Sequence, residues 1–247
     1  MRVAVVRHHE EDSAGFIGAA FEARGATLST LLYPKEGALP DTGGLAHIVM
    51  LGSTSSVYDE GEACAWIGEE LTWLRRADAA GVPVLGICFG GQLLAAAFGG
   101  TVEHAGRQEI GWVTIDSADP ELIPPGPWLE FHHDRCQPPA GASVLARNDL
   151  GVQAFRLGRH LGVQFHPEVD GDQFRLWLDA GGRAEIAANG QDPDRLLAQT
   201  IAEEPEASAR ADRLVASALR IATEARIRQA CDRPNPGPGA ADGARDS

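Results

Sequence analysis

The sequence is poor in positive charge, and lysine is almost absent from it. Lys35 is the only lysine in 247 residues, and 21 basic residues stand against 35 acidic ones, for a formal net charge of −14. A nucleic-acid-binding domain needs a basic face, and docking on an anionic membrane needs a basic patch. The charge balance argues against both kinds of partner, and the single lysine rules out a catalytic lysine almost everywhere.

Long apolar runs and clustered cysteines are also missing. No stretch approaches the roughly 20 apolar residues of a membrane span, and the N-terminus reaches charged residues too soon for a signal-peptide core. The cysteines show neither metal-ligand spacing nor a disulfide framework. They are Cys64, Cys88, Cys136 and Cys231. We therefore expect a cytoplasmic protein with reduced thiols, no metal and no cofactor.

The first hundred residues alternate between short apolar runs and segments of helical periodicity. Residues 2–8, 28–33 and 46–51 have the composition of buried strands. This βαβ pattern predicts an α/β fold with an open, mostly parallel twisted sheet and helices on both faces. After Gly100 the chain breaks into short strand-like pieces separated by Gly, Pro and Asp, which predicts added antiparallel strands.

The last third of the chain is rich in Ala, Arg and Glu. Its periodicity predicts two helices, over residues 193–203 and 207–229. We expect a main domain at residues 1–180 and a C-terminal helical extension at residues 181–230 that packs on or beside it. Residues 231–247 are rich in Pro and Gly, which predicts a disordered tail.

One cysteine follows an apolar run and precedes two glycines. Residues 83–92 read PVLGICFGGQ, and a helical pattern continues after Cys88. A side chain at such a strand–turn–helix elbow lies beside a helix N-terminus, whose unpaired N–H groups lower the pKa of a thiol. Gly90 and Gly91 permit the close approach that an elbow requires. Locally, a nucleophile and a buried structural cysteine fit equally well.

A histidine and an acid follow on a later predicted strand. Residues 164–168 read QFHPE, so His166 and Glu168 share one face of the strand. A thiol nucleophile needs a base that takes and returns its proton, and a group that orients this base. Together with Cys88, the pair predicts a Cys–His–acid triad.

In combination these motifs resemble the class I (triad-type) glutamine amidotransferases, whose fold is flavodoxin-like. The resemblance rests on GICFGGQ at residues 86–92 and QFHPE at residues 164–168. FHHD at residues 131–134 and EIGW at residues 109–112 are similar to the glutaminase domain of GMP synthetase and its stand-alone relatives. The resemblance covers about residues 1–180.

The resemblance implies an activity, the hydrolysis of the side-chain amide of glutamine. Cys88 would form a thioester and release ammonia to a separate synthetase or ligase. His166 would protonate the ammonia and then activate water, and Glu168 would fix the imidazole. The implied oxyanion-hole donors are the backbone N–H groups of Gly52, Ser53 and Phe89, and the implied substrate contacts are Gln92, His132 and Asp134.

Two positions depart from the family pattern. The family loop usually reads Gly-Gly-Pro, whereas this chain has Gly52-Ser53-Thr54. A serine resists positive φ, so a preformed oxyanion hole depends on whether this turn requires one. Gly91 stands where the family frequently has a bulkier residue, which would widen the pocket.

Two other functions fit the same residues. A γ-glutamyl peptidase or hydrolase would cleave a γ-glutamyl amide whose amine is larger than ammonia, which suits Gly91. A catalytically silent regulatory module would suit the altered loop but not the intact triad. We assign His8 and His9 to a loop, and His132 and Asp134 lack an evident third partner for a metal site.

Overall fold

A computed structural model describes residues 1–231, so the predicted tail at residues 232–247 lies outside the described residues. The strands are β1 (Arg2–Arg7), β2 (Thr27–Leu32), β3 (His47–Met50), β4 (Val84–Ile87), β5 (Thr101–Thr114), β6 (Asp116–Ser117), β7 (Pro127–Gln137), β8 (Ser143–Arg147), β9 (Val152–Leu157) and β10 (His160–Val163). The helices are α1 (Gly15–Glu22), α2 (Ala65–Ala79), α3 (Phe89–Ala97), α4 (Gly171–Trp177), α5 (Arg183–Ala188) and α6 (Pro193–Cys231).

The main sheet has eight strands in the order β2-β1-β3-β4-β10-β9-β8-β6. The first five of these run parallel, and β9, β8 and β6 continue the sheet antiparallel. β5 and β7 form a separate antiparallel pair. The predicted α/β fold, mostly parallel with added antiparallel strands, is confirmed.

The two faces of the sheet each have their own core, because successive strand residues point to opposite sides. Val3 and Val5 of β1 pack in one cluster with α1 and α6. Ala4 and Val6 pack on the other side with α2 and α3. None of the helices within residues 1–231 is long and apolar enough to cross a membrane.

The C-terminal extension packs on the sheet and is more continuous than the sequence predicts. α6 runs unbroken through Pro205, where we expected a break between two helices. Proline inside a helix costs about 3 kcal/mol, and packing on both sides offsets this cost. Thr200 is buried before the proline, and Leu214 and Ile221 are buried after it.

The strand–helix elbow after β4 is packed too tightly for any side chain at its glycines. A Cβ on Gly90 would lie 2.3 Å from the carbonyl oxygen of Met50, and one on Gly91 would lie 2.6 Å from that of Val163. Gly91 therefore faces the backbone of β10 and does not line the site. The expectation that Gly91 widens the pocket is wrong.

Replacing Gly90 should destabilise the fold strongly. We expect Gly90→Ala to lower the free energy of unfolding by about 3 kcal/mol, because the new methyl group overlaps a backbone oxygen. The matched control is Gly68→Ala in α2, where a Cβ meets nothing within 4 Å; it should gain about 0.5–1 kcal/mol. Urea denaturation measures both, and a Gly90→Ala protein of wild-type stability would contradict this packing.

Candidate active site

Loops after parallel strands meet at one edge of the sheet and enclose a cavity of about 520 Å³. His9 follows β1, Gly52 follows β3, Cys88 follows β4 and His166 follows β10, and all four line this cavity. Small-molecule sites typically measure about 300–1,000 Å³. Open α/β sheets bind ligands at this edge, so the cavity is the candidate active site.

Cys88 has the backbone geometry of a nucleophile elbow. Its φ is 52° and its ψ is −113°, and it is the only non-glycine residue with positive φ among residues 1–231. Its N–H donates to the carbonyl of Val163 on β10 at 2.9 Å. Strained conformations of this kind persist where the surroundings hold them, and they cluster at functional sites.

His166 and Glu168 form a buried pair beside this cysteine. Nδ1 of His166 lies 2.8 Å from Oε1 of Glu168, and both side chains are almost fully buried. Because a carboxylate only accepts, Nδ1 carries a proton. Nε2 is buried without a hydrogen-bond partner in the described part of the chain. Glu168 thus lies where it can orient the imidazole, as its predicted role requires.

The electrostatics favour a charged His166. Burial by itself lowers the pKa of His166, but the carboxylate of Glu168 and the sulfur of Cys88 outweigh it. The pKa of His166 therefore lies well above its ordinary value. Because the neighbouring sulfur helps to raise this pKa, His166 is suited to accept the proton of the thiol.

The side chain of Gln92 is linked to the sulfur of Cys88 only through a second glutamine. Nε2 of Gln92 donates to Oε1 of Gln164 at 3.1 Å, and Nε2 of Gln164 lies 3.6 Å from Sγ of Cys88. Both glutamines are buried, and neither lines the cavity. The structure thus places Gln92 behind the sulfur.

The peptide between Gly52 and Ser53 is held from behind by a histidine. Nδ1 of His8 donates to the carbonyl oxygen of Gly52 at 2.7 Å, and Nε2 of His8 contacts Glu70 at 3.0 Å. The N–H of Ser53 points away from His8, because the C=O and N–H of a trans peptide are opposed. A Cβ on Gly52 would lie 3.1 Å from Cε1 of His166, so this peptide adjoins the buried pair.

The turn needs no left-handed residue, which answers the concern about Ser53. Neither Gly52 nor Ser53 is among the positive-φ residues of the described chain. Phe89 opens α3, so its N–H has no acceptor within the helix. The Ser53 and Phe89 N–H groups, two of the three predicted oxyanion donors, therefore lie close to Cys88 and require no left-handed backbone.

His132 and Asp134 lie beside the site but do not line the cavity. Asp134 accepts hydrogen bonds from Ser56 at 2.6 Å and Tyr58 at 2.8 Å, and so holds the loop after β3. Nε2 of His132 contacts Glu109 and Glu130, each at 3.1 Å. The implied direct substrate contact has no support in the lining of the cavity.

Glu109, Glu130 and His132 are the one group of three potential metal ligands found within residues 1–231, with ligand atoms within 4.8 Å of one another. Burial opposes the charge of His132, but the two carboxylates raise its pKa to about 10. Burial raises the pKa of Glu130 to about 7. In this arrangement the group is an imidazolium between two acids.

Sequence reasoning missed most of the cavity wall. The missed lining residues are His9, Glu11, Asp12, Thr54, Phe131, Trp177, Ala180, Gly181, Gly182 and Glu185. The position of His9 after β1 is a signal that could have identified it. Thr54 and Phe131 stand in the quoted segments at residues 52–54 and 131–134 but had no predicted role there, and the others belong to no motif. His8 and Glu70 were likewise missed, because only the fold brings them to Gly52.

Trp177 connects the buried pair to this wall. Its ring is edge-on to His166 with 5.0 Å between centroids, and its Nε1 donates to Oδ1 of Asp12 at 3.0 Å.

The fold and the site together define an α/β protein with a cysteine at a nucleophile elbow and a buried His–Glu pair beside it.

Comparison with known proteins agrees with this class. The sequence profile of the family described as "Glutamine amidotransferase class-I" matches residues 18–177. The chain belongs to this family, and the recognition made from its motifs is confirmed.

Relatives of this chain are GMP synthases, and similar structures are glutamine amidotransferases. The chain is 38% identical over 131 residues to GMP synthase [glutamine-hydrolyzing] of Thermobifida fusca, a match covering 49% of this chain and 23% of that protein. It is 38% identical over 137 residues to the enzyme of that name from Streptomyces avermitilis, covering 50% and 24%. The match thus spans about a quarter of the length of these relatives.

The crystal structure of a glutamine amidotransferase from Thermotoga maritima superposes with a TM-score of 0.81 at 25% identity, covering 89% of this chain and 98% of that one. A glutamine amidotransferase from Methylobacillus flagellatus gives a TM-score of 0.80 at 24% identity, covering 89% and 94%. The second likeness shows the fold alone.

Proposed function

We propose that this protein hydrolyses the side-chain amide of glutamine through a thioester on Cys88, giving glutamate and ammonia. The observation that carries the proposal is the left-handed Cys88 beside the buried His166–Glu168 pair, at the mouth of one cavity. The raised pKa of His166 supports its role as the group that holds the proton during the reaction.

In the first step, the sulfur of Cys88 attacks the amide carbon. The carbonyl oxygen gains a negative charge, and the N–H groups of Ser53 and Phe89 are the donors that we assign to it. His8 supports this assignment, because it fixes the Gly52 carbonyl on the far side of the same peptide. Each such preorganised donor is worth about 3 kcal/mol of barrier. Gly52 contributes its small Cα beside His166 and not its own N–H.

His166 then protonates the departing nitrogen from Nε2, and ammonia leaves. In the second half, the neutral imidazole takes a proton from water, which attacks the thioester and releases glutamate. Glu168 keeps Nδ1 protonated through both halves, so that only Nε2 exchanges protons. Gln164 stabilises the sulfur by donation, with Gln92 positioning its amide.

We also propose that the ammonia passes to a separate synthetase. The relatives support this, since the match covers only 23–24% of proteins named GMP synthase [glutamine-hydrolyzing]. His132 and Asp134 would act on the substrate indirectly, through the β7 segment and the loop that holds Ser53.

The experiment is an assay of the purified full chain with glutamine, with asparagine as the matched control. We expect glutamate and ammonia from glutamine and no product from asparagine, because the shorter side chain does not bring its amide to Cys88. The assay is repeated with a candidate ammonia-accepting synthetase. Absence of turnover under both conditions would contradict the enzymatic proposal and favour a silent regulatory module.

A γ-glutamyl hydrolase is the second candidate, and the cavity favours it. The wall reaches beyond the cysteine and the pair to Trp177 and Glu185. Faster cleavage of γ-glutamyl dipeptides than of glutamine by the protein alone would support this activity over ammonia transfer.

A further inference from the structure

The wall of the cavity carries three acidic side chains and neither lysine nor arginine. The acids are Glu11, Asp12 and Glu185, and the statement on lysine and arginine covers the described lining residues. Nε2 of His9, in the same wall, accepts a hydrogen bond from the N–H of Thr54 at 3.1 Å. The imidazolium of His166 is already paired with Glu168.

Asp12 is the member of this wall that points to a ligand. Its side chain is buried, with the residue only 8% exposed, and Oδ1 accepts from Trp177. Oδ2 is buried and has no hydrogen-bond partner among the described residues. Arg7 donates to the backbone carbonyl of Asp12, not to its carboxylate. Burial raises the pKa of Asp12 although His9, Trp177 and His166 oppose this effect, so its ionised form is costly unless a further positive charge pairs with it.

The position of Asp12 places it on the leaving-group side. His166 must lie within hydrogen-bond reach of the nitrogen that it protonates. Trp177 packs against His166 and donates to Asp12, so one indole separates the proton donor from the acid. A short alkyl chain on the leaving nitrogen would pass along Trp177 and bring its far end to Asp12.

We propose that this site accepts γ-glutamyl amides of diamines, with Asp12 binding the free ammonium group of the amine portion. This rests on the proposed thioester chemistry of Cys88 and names a substrate class for the second candidate function, the γ-glutamyl hydrolase. The S–C bond to Cys88 forms and the C–N bond breaks, and the diamine leaves with a proton from His166. Water then cleaves the thioester to glutamate, and its proton returns to His166.

An organic ammonium fits this wall better than a metal ion. The described chain has one group with three metal-ligand atoms close together, at Glu109, Glu130 and His132, and Asp12 is not part of it. Oδ1 of Asp12 is already committed to an N–H donor. The aromatic rings of Trp177 and Phe131 in the same wall are suited to contact an ammonium group and the alkyl chain that carries it.

The test measures binding to the Cys88→Ala protein by titration calorimetry, so that no turnover occurs. The two probes are the γ-glutamyl monoamide of 1,4-diaminobutane and that of n-pentylamine, which replaces the ammonium by a methyl group. We expect the cationic probe to bind about tenfold or more tightly than the neutral one, as for a charge-assisted hydrogen bond.

Asp12→Asn in the Cys88→Ala background should reduce this ratio to about one, since the amide still accepts from Trp177 but carries no charge. Glu10→Gln is the matched control, because Glu10 is exposed, pairs with Lys35 and lies outside the cavity; it should keep the ratio. A ratio near one in Cys88→Ala, or one unchanged by Asp12→Asn, would overturn the inference, as would failure of both probes to bind. The assay of the unaltered protein with glutamine tests the proposed function separately.

Discussion

Cys88→Ala should abolish the release of ammonia from glutamine, lowering kcat by about 10⁴-fold or more. Removal of the nucleophile leaves only the rate acceleration that the oxyanion donors and substrate binding contribute. In other nucleophilic enzymes this is a small fraction of the full rate. The measurement is a coupled glutamate assay, with mass spectrometry of the acid-quenched wild-type protein to locate a γ-glutamyl thioester on the peptide that contains residue 88.

Cys136→Ala is the matched control for this substitution. Cys136 is as buried as Cys88, lies on β7 and does not line the cavity. Burial raises the pKa of the Cys136 thiol to about 12, so it stays protonated and unreactive. We expect the Cys136→Ala protein to keep its rate within about twofold. Equal losses in both variants would show that the effect is structural and that Cys88 is not the nucleophile.

Glu168→Gln should lower kcat by about 10³-fold and move the alkaline limb of the pH–rate profile to lower pH. A carboxylate that orients a catalytic histidine is worth rate factors of this order. The sign of the pH effect follows from charge. Glu168 helps to raise the pKa of His166, so its neutralisation lowers that pKa and the imidazolium is lost at a lower pH.

Asp78→Asn tests whether that result is specific. Asp78 accepts from Nε2 of His160 at 3.0 Å, a histidine–carboxylate pair that lies outside the cavity. Its neutralisation should leave both the rate and the position of the alkaline limb unchanged. If the limb of Glu168→Gln stays where the wild type has it, Glu168 does not control the charge of His166, and its assigned role fails.

The parallel half of the sheet could be predicted because its signals are local. β1 and β3 each contain an uninterrupted apolar run, and the strands predicted at residues 2–8 and 46–51 match β1 (Arg2–Arg7) and β3 (His47–Met50). Cys88, His166 and Glu168 could be found for a related reason, since each is part of a short motif whose glycines or prolines fix the local backbone.

The antiparallel half was predicted less well because its strands depend on partners. The sequence predicts short separate pieces after Gly100, whereas β5 is a single 14-residue strand with an irregularity between His104 and Glu109. The polar stretch around this irregularity has no alternation of its own, and pairing with β7 continues the strand on both sides of it. The continuity of α6 through Pro205 has the same kind of cause, since tertiary contacts outweigh a local preference.

The cavity wall could not be predicted from sequence, because its residues come together only in the folded chain. The hydrogen bond from Trp177 to Asp12 joins residues 165 positions apart. The pairing of His8 with Glu70 behind the Gly52 peptide spans 62 positions. Neither contact has a spacing that marks it, and both depend on where helices pack against the sheet.

Part of the cavity wall lies outside the segment that matches the family. The family match runs from residue 18 to residue 177. Cys88, His166 and Glu168 lie inside it. His9, Glu11 and Asp12 precede the matched segment, and Glu185 follows it. The matched segment therefore contains the three residues to which we assign the chemistry, whereas Asp12, to which we assign the ammonium group, lies outside it. A match over this segment alone would identify the proposed chemistry and leave the proposed amine specificity undetermined.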